Sequence, residues 1–370
     1  MGTRARVLTS TWQGNGELVV ELATRDLPEP TGRQVLVRVE AAPINPSDLG
    51  VLFGRADLAR ARFEPGRIVA RMIDEAAPPT FAKRVDLPIG CGNEGAGTVI
   101  AAGEAPEAQA LLGRTVSGMG QMYASHRLVD AGTCMPLPEG MAAEAGAAAF
   151  VNPMTALAFV ETMRAEGCEA LLHTAAASNL GQMLVRVCAE DGVPLINVVR
   201  SPAQAELLRG MGARWVLDST GPGYFDVRVA AIRETGLPLA FDAIGGGTQA
   251  ATIFSAMEAV AGADIPYSPY GSYQRKKVRI YGMLDPAPTV LERSFGFSWE
   301  LSGFILPEFL GTAGPERLGQ MRARITAGLG TTFASRFGTR VPLDQMLERD
   351  QVLAYARMQT GHKALVVPGA

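Results

Sequence analysis

Residues 170–200, ALLHTAAASNLGQMLVRVCAEDGVPLINVVR, decide the fold. The short apolar run LLHTAA leads into the helical pattern NLGQMLVRVCAEDG, and PLINVVR follows as a second apolar run. Strand, turn, helix and strand in this order make a βαβ unit. Further on, AQAELLRGMGA predicts a helix, RWVLDS a strand, FDVRVAAIRETG a helix and PLAFDAIGGG a strand. Strands alternating with helices in this way argue for a parallel sheet with helices on its faces. After about residue 286 the alternation ends, and the chain finishes in the strand-like run ALVVP.

Working back from this region, the first third reads as all-β. QVLVRVE at 34–40 alternates apolar and polar residues with period two, the pattern of a strand with one buried face. Gly97–Ala102 and Arg127–Val129 look similar, with Pro and Gly punctuating the gaps. Residues 55–86 are charge-rich, with Leu58, Phe63, Ile68, Met72 and Ile73 at loosely helical spacing. That spacing predicts a solvated insertion with a helix packed on the β domain; the alternative is a lid or a partner contact.

The chain has 370 residues and a net charge of −3, a length that suggests two domains. There is no basic excess to favour nucleic acid or an anionic membrane surface. Cys91, Cys134, Cys168 and Cys188 lie far apart and form no CxxC pair, which reads as free thiols in a reducing compartment. The opening residues lack the apolar core of a signal peptide. Glu144, Asn152 and Pro153 interrupt the most apolar stretch, Met141–Val160, so no membrane span is expected there. These features predict a soluble, cytoplasmic enzyme.

A glycine-rich turn that binds a pyrophosphate should follow the first strand of the βαβ unit. The segment Ala176-Ala177-Ser178-Asn179-Leu180-Gly181 keeps only the third glycine of G-x-G-x-x-G, with Ala176 and Ser178 in the first two places. Small residues preserve close approach, and Ser178 and Asn179 offer donors, but an ordinary strand-to-helix turn has the same pattern. The end of the second strand, Asn197-Val198-Val199-Arg200-Ser201, has no carboxylate for a ribose 2′-hydroxyl. Arg200 and Ser201 suit a 2′-phosphate instead, which favours NADPH, with NADH as the alternative.

The chain resembles the medium-chain dehydrogenase/reductase superfamily, on its zinc-free branch of quinone oxidoreductases and enoyl reductases. The resemblance rests on PINPSD at 43–48, GCGNEGAG at 90–97, YASHRLVDAGTCMPLPEGM, Asn152-Pro153-Met154-Thr155-Ala156, HTAAASNLGQ, INVVR, LLRGMGA and TGHKALVV. It implies an α/β fold in which a Rossmann-type nucleotide domain is inserted in a mainly β, GroES-like substrate domain. The implied boundaries are 1–150 and 287–370 for the substrate domain and 151–286 for the nucleotide domain.

The positions matching the superfamily's zinc ligands are Asn45, Asn93 and Val151, which cannot hold zinc, and no metal is expected. His126, His173 and His362 supply no replacement at metal-ligand spacing. The resemblance places Asn45 beside the nicotinamide and the substrate carbonyl, and Thr155 near the carboxamide. Ala176, Ser178, Asn179 and Gly181 would line the pyrophosphate turn, Arg200 and Ser201 would hold the 2′-phosphate, and Lys363 would reach the cofactor phosphates.

Without a Lewis acid, hydride should go to an electron-poor acceptor, a quinone or an α,β-unsaturated carbonyl compound. The alternative is a non-catalytic NADPH-binding protein. The enoyl reductases' tyrosine is missing, since its neighbourhood reads Phe53-Gly54-Arg55-Ala56. Tyr267, Tyr270 and Tyr273 offer either a replacement donor on the cofactor side or a turn-stabilising cluster. The branch's dimerisation implies a homodimer through the last sheet edge, expected at Val278–Met283.

Overall fold

The computed structural model describes residues 2–73, 79–357 and 363–369. The chain divides into two compact units, Met1–Val151 with Arg324–Ala370, and Asn152–Ala323. The first unit is therefore assembled from both ends of the chain.

In the first unit the QVLVRVE run lies within the strand Gln34–Pro43. This strand pairs antiparallel with Glu94–Ala102 on one side, and on the other with His126–Asp130 and, further along, Ala364–Val367. Ala364–Val367 in turn runs parallel to Thr339–Pro342, so the C-terminal segment completes a sheet begun near the N-terminus. A second sheet is built on the hairpin of Thr3–Trp12 with Glu17–Leu27. Trp12, Leu18, Ile44, Leu52, Ile68 and Val366 close the core between them. Each such side chain contributes about 1.5–3 kcal/mol by leaving water.

The 55–86 segment departs from its predicted helix. Arg62–Glu64 and Arg67–Arg71 form a hairpin that extends the second sheet through Glu17–Leu27. Gly66, at φ +69°, supplies the left-handed residue of its turn. Ile68 is buried, Leu58, Phe63 and Met72 pack partly on the same core, and Ile73 is exposed. The apolar spacing is that of two short strands facing one core, read at too long a period. Residues 74–78 lie outside the described residues, and a 3-10 turn, Pro79–Arg84, follows them.

The second unit carries a six-stranded parallel sheet. Its order is Trp215–Asp218, Leu195–Val199, Leu171–His173, Leu239–Asp242, Lys276–Ile280 and Trp299–Gly303. In chain order this is 3-2-1-4-5-6, with the reversal between the first and fourth strands that marks a dinucleotide fold. Helices Asn179–Asp191, Pro202–Gly210, Tyr224–Thr235 and Gln249–Ala261 connect the first strands as the alternation predicts. Ile253, Phe254 and Met257 of the last of these pack with Leu172, Ile196, Ala240 and Val278 of the sheet.

Two expectations change here. The sixth strand lies beyond residue 286, and the second compact unit runs from Asn152 to Ala323. The sheet edge is also Trp299–Gly303; the Val278–Met283 candidate overlaps the interior strand Lys276–Ile280. Both were hidden because WELSG is half-buried without period-two alternation and no helix leads into it. The connection carries the short strand Asp285–Thr289 instead, paired with Gly245–Gly247.

The apolar segment Ala143–Ala165 is long enough to cross a membrane, and 78% of its most apolar window is buried inside the protein, as in a core helix.

Candidate functional site

In the second unit the turn after Leu171–His173 is tied across the sheet. Thr174 Oγ1 donates to Asp242 Oδ1 at 2.7 Å and accepts from the Ala243 amide at 2.7 Å. Asp242 also accepts from the Ile244 and Gly245 amides. This clamp joins the carboxyl ends of the first and fourth strands, where the strand order reverses. Sequence reasoning missed Asp242, whose only signal was a lone carboxylate ending an apolar strand.

Ala175 takes φ +51°, which bends the chain into the helix. Ser178 is the N-cap of Asn179–Asp191, its hydroxyl accepting from the Gly181 amide at 3.1 Å. Ala176 is fully buried, so it offers a ligand no side chain. Its carbonyl oxygen packs so tightly on Gly181 that a Cβ there would lie 2.0 Å from it. Gly181 thus performs the close-packing role of the third fingerprint glycine. The helix N-terminus opens at the carboxyl ends of the strands, the side on which such sheets bind nucleotides.

The second strand ends in exposed Arg200. Its amide donates to Gln204 Oε1 at 3.2 Å, and Ser201 caps Pro202–Gly210 by accepting from the Gln204 amide at 3.4 Å. The Arg200 side chain carries the only charge in the segment 197–201. Thr155 is buried in the first turns of Val151–Ala165. The residues of the pyrophosphate turn and Arg200–Ser201 therefore share the carboxyl end of one sheet.

The tyrosine cluster does not. Tyr267–Tyr273 follows helix Gln249–Ala261 and precedes strand Lys276–Ile280, so it sits at the amino ends of the strands, opposite the nucleotide side. Tyr267, Tyr270 and Tyr273 are exposed there, and the prediction of a donor on the cofactor side is withdrawn.

In the first unit Asn45 is the N-cap of the short helix Pro46–Leu52, with proline at the first helical position. It forms a capping box with Asp48: the Asn45 amide donates to Asp48 Oδ2 at 2.8 Å, and the Asn45 side chain faces the Asp48 amide. Asn45 Nδ2 donates to Glu94 Oε1 at 2.9 Å. Glu94 Oε2 accepts from the Phe150 and Val151 amides at 3.0 and 2.8 Å. Asp48 Oδ1 accepts from the Asn93 amide at 2.7 Å. Asn45, Asp48 and Glu94 are all buried. The two carboxylates were not foreseen, although both stand inside quoted motifs, PINPSD and GCGNEGAG. Acidic residues in turns read as solvated until their partners are known.

Lys363 joins this cluster. Its Nζ is buried without a hydrogen-bond partner among the described residues, 6.0 Å from the Phe337 ring centre. Burial pushes its pKa down, while Glu94 and Asp48 pull it back up. His362, Gly361 and Thr360 of the terminal motif lie outside the described residues.

Burial raises the Asp48 carboxyl to about 6, against the backbone amides of Asn45 and Asn93, which favour the anion. The folded value lies above the ordinary 3.8, so the native state holds this proton more tightly than the unfolded chain. The resulting stabilisation is fully present below the unfolded value and is lost as pH rises through about 6. Urea unfolding of wild type and Asp48→Asn at about pH 4.5 and about pH 7.5 should show it. Wild type is expected to lose about 2 kcal/mol relative to the variant over that interval. A difference independent of pH would remove Asp48 as the titrating group.

The positions expected to lack metal ligands hold two amides and a valine. Among the described residues no group of three His, Cys, Asp or Glu side chains is placed to bind a metal ion. His173 is buried in the second unit, depressed to about 3 by burial, with Nε2 2.7 Å from the Tyr281 hydroxyl. Burial also pushes the Cys91 thiol up to about 12, so it is not a nucleophile.

A doubly wound parallel sheet inserted in a β unit made from both chain ends, with this turn and strand end, is the architecture of dinucleotide-dependent oxidoreductases. No family model matches the chain. Among curated proteins, the mitochondrial enoyl-[acyl-carrier-protein] reductase of Xenopus tropicalis is 26% identical over 223 residues, 58% of this chain and 56% of its own. The quinone oxidoreductase of Pseudomonas aeruginosa is 28% identical over 165 residues, 44% of this chain and 51% of its own. The chain spans about half the length of the curated relatives it matches. Among solved structures, an assigned NADPH:quinone reductase from Mesorhizobium loti superposes with a TM-score of 0.72 at 25% identity, over 99% of this chain and 98% of its own. The relatives and structural neighbours thus carry the names of quinone oxidoreductases and enoyl reductases.

Proposed function

We propose that the protein is an NADPH-dependent oxidoreductase that passes hydride to a quinone or an α,β-unsaturated carbonyl acceptor without zinc. The observation that carries this reading is the turn in which Gly181 packs on Ala176 beneath a capped helix, with Arg200 at the next strand end. A close-packed turn with a helix N-terminus fits a dinucleotide pyrophosphate, and a guanidinium without an ion pair among the described residues fits its 2′-phosphate.

In this reading the amides of the turn, with the Ser178 and Asn179 side chains, receive the pyrophosphate. Arg200 and the Ser201 hydroxyl hold the 2′-phosphate, and Thr155 lies near the carboxamide. NADPH supplies the hydride. Asn45 donates an N–H to the acceptor's carbonyl oxygen, where charge develops when hydride adds at the β-carbon. Lys363 adds positive potential to the Asn45 cluster. Water supplies the proton in quinone reduction.

Phe53, beside the position of the enoyl reductases' tyrosine, is buried and stacks on Tyr355 at 6.3 Å. This favours quinones and enones over enoyl thioesters. The four free cysteines are consistent with a cytoplasmic setting, and the exposed sheet edge Trp299–Gly303 is where a homodimer would join.

Arg200→Ala tests the cofactor assignment. A lost charge-assisted contact to phosphate is worth about 1.5–3 kcal/mol, so the NADPH Kd should rise about tenfold to a hundredfold. The NADH Kd should stay within about twofold. An unchanged NADPH/NADH preference in the variant would remove Arg200 from the site.

A further inference from the structure

We infer that Glu94 is a positioning residue that fixes Asn45 as a hydrogen-bond donor, so that the group met by Asn45 must be an acceptor such as a carbonyl or quinone oxygen. The inference rests on the proposed function for its substrate class, but the positioning itself follows from the polarity of the hydrogen bonds.

The Glu94 carboxylate is divided between two tasks. Oε2 accepts from two successive backbone amides, Phe150 and Val151, and Oε1 accepts from Asn45 Nδ2. Backbone amides only donate, so the oxygen facing them has to remain an acceptor. On its other side, the Asn45 side chain lies against the Asp48 amide, which donates to the Asn45 backbone carbonyl at 3.0 Å; a side-chain oxygen suits that N–H and a side-chain NH2 does not. Glu94 thus sets the Asn45 amide group, with its nitrogen bonded to the carboxylate and its oxygen toward the helix. A side-chain amide has two N–H bonds. One is taken by Glu94, and the second is what remains to be given to a ligand. Burial of Asn45, Asp48 and Glu94 makes each misplaced donor costly, so the orientation is firm.

This arrangement makes a specific substitution frustrated. In Glu94→Gln the side-chain oxygen must stay on the Phe150 and Val151 amides, which turns its NH2 toward Asn45 Nδ2. If Asn45 turns over to accept, its own NH2 meets the Asp48 amide. No orientation satisfies both ends. The exchange Asn45→Asp with Glu94→Gln removes the conflict: Asp accepts from the Gln NH2 and from the Asp48 amide, and the net charge beside Lys363 is unchanged. It also leaves no N–H to donate. The pair of variants therefore separates holding the geometry from donating to the acceptor.

The experiment measures thermal unfolding, NADPH Kd and turnover of a quinone and an enone for wild type, Glu94→Gln and the double exchange. Glu94→Gln is expected to lower Tm by several degrees and turnover at least tenfold, with NADPH Kd within about twofold. The double exchange is expected to return Tm to within about 2 °C of wild type while turnover stays at or below one tenth. Recovery of turnover along with Tm would show that the pair is only structural and overturn donation by Asn45. A double exchange no more stable than Glu94→Gln would overturn the polarity on which the positioning depends. If wild type turns over no acceptor, the functional reading fails, and the Tm comparison still decides the positioning.

Discussion

Gly181→Ala is expected to abolish NADPH binding and to destabilise the nucleotide unit by about 3 kcal/mol, the upper part of the range for overpacking a tight site. The added Cβ would lie 2.0 Å from the Ala176 carbonyl oxygen and 2.5 Å from its carbon, both backbone atoms that cannot step aside. Relief requires helix Asn179–Asp191 to move off strand Leu171–His173. That shift breaks the Ser178 cap on the Gly181 amide and the Ala176 amide's bond to the Val198 carbonyl. The same movement swings the helix N-terminus away from the ligand it is aimed at. Urea unfolding and titration of NADPH fluorescence report the two effects separately. Wild-type stability and NADPH affinity in the variant would show that the turn is not held by this contact.

Glu258→Ala is expected to cost about 3–5 kcal/mol, the penalty for stranding a buried charge. Lys276 is fully buried on an interior strand, with Nζ paired to Glu258 and bonded to Ser272 Oγ at 3.1 Å and the Gln274 carbonyl at 3.3 Å. Glu258 also accepts from the Ser272 amide and hydroxyl, each at 2.7 Å. Removing the carboxylate leaves an ammonium with two neutral partners and frees the 267–273 loop it anchors. The compensating double variant Glu258→Gln with Lys276→Met should recover most of the loss, because no charge then stays buried. Denaturant unfolding of both variants provides the comparison. A loss below about 1 kcal/mol in Glu258→Ala would mean that the ammonium is rehydrated at little cost.

The parts of this protein that follow from local pattern were legible from its sequence. Buried parallel strands such as LLH and LINVV are short apolar runs, and the helices between them carry their own caps and periodicity. Trp299–Gly303 was not legible, because an edge strand with one half-exposed face shows neither an apolar run nor alternation. The 62–71 hairpin imitates helical spacing because Phe63 and Ile68 meet one core from its two strands and Met72 follows just beyond them.

The strand-to-helix turn at 176–181 was legible from the apolar run before it and from Gly181, the residue its close contact with Ala176 requires. The Asn45 cluster was only half visible. Asn45 stands out beside Pro46, but Glu94 and Asp48 acquire meaning only when the fold brings residues 45–48, 93–94 and 150–151 together. The neighbourhood of Lys363, whose ammonium feels Glu94 and Asp48, is likewise one that no spacing in the chain discloses.

The most direct test of the account follows hydride itself. Chelator-treated protein is given NADPH deuterated at the transferable position of the nicotinamide C4, with a panel of quinones and α,β-unsaturated ketones. Saturable NADPH oxidation undiminished by chelation is expected, with deuterium appearing at the β-carbon of a reduced enone. Tight NADPH binding with no transfer to any acceptor would contradict it and leave a nucleotide-binding protein on a reductase fold.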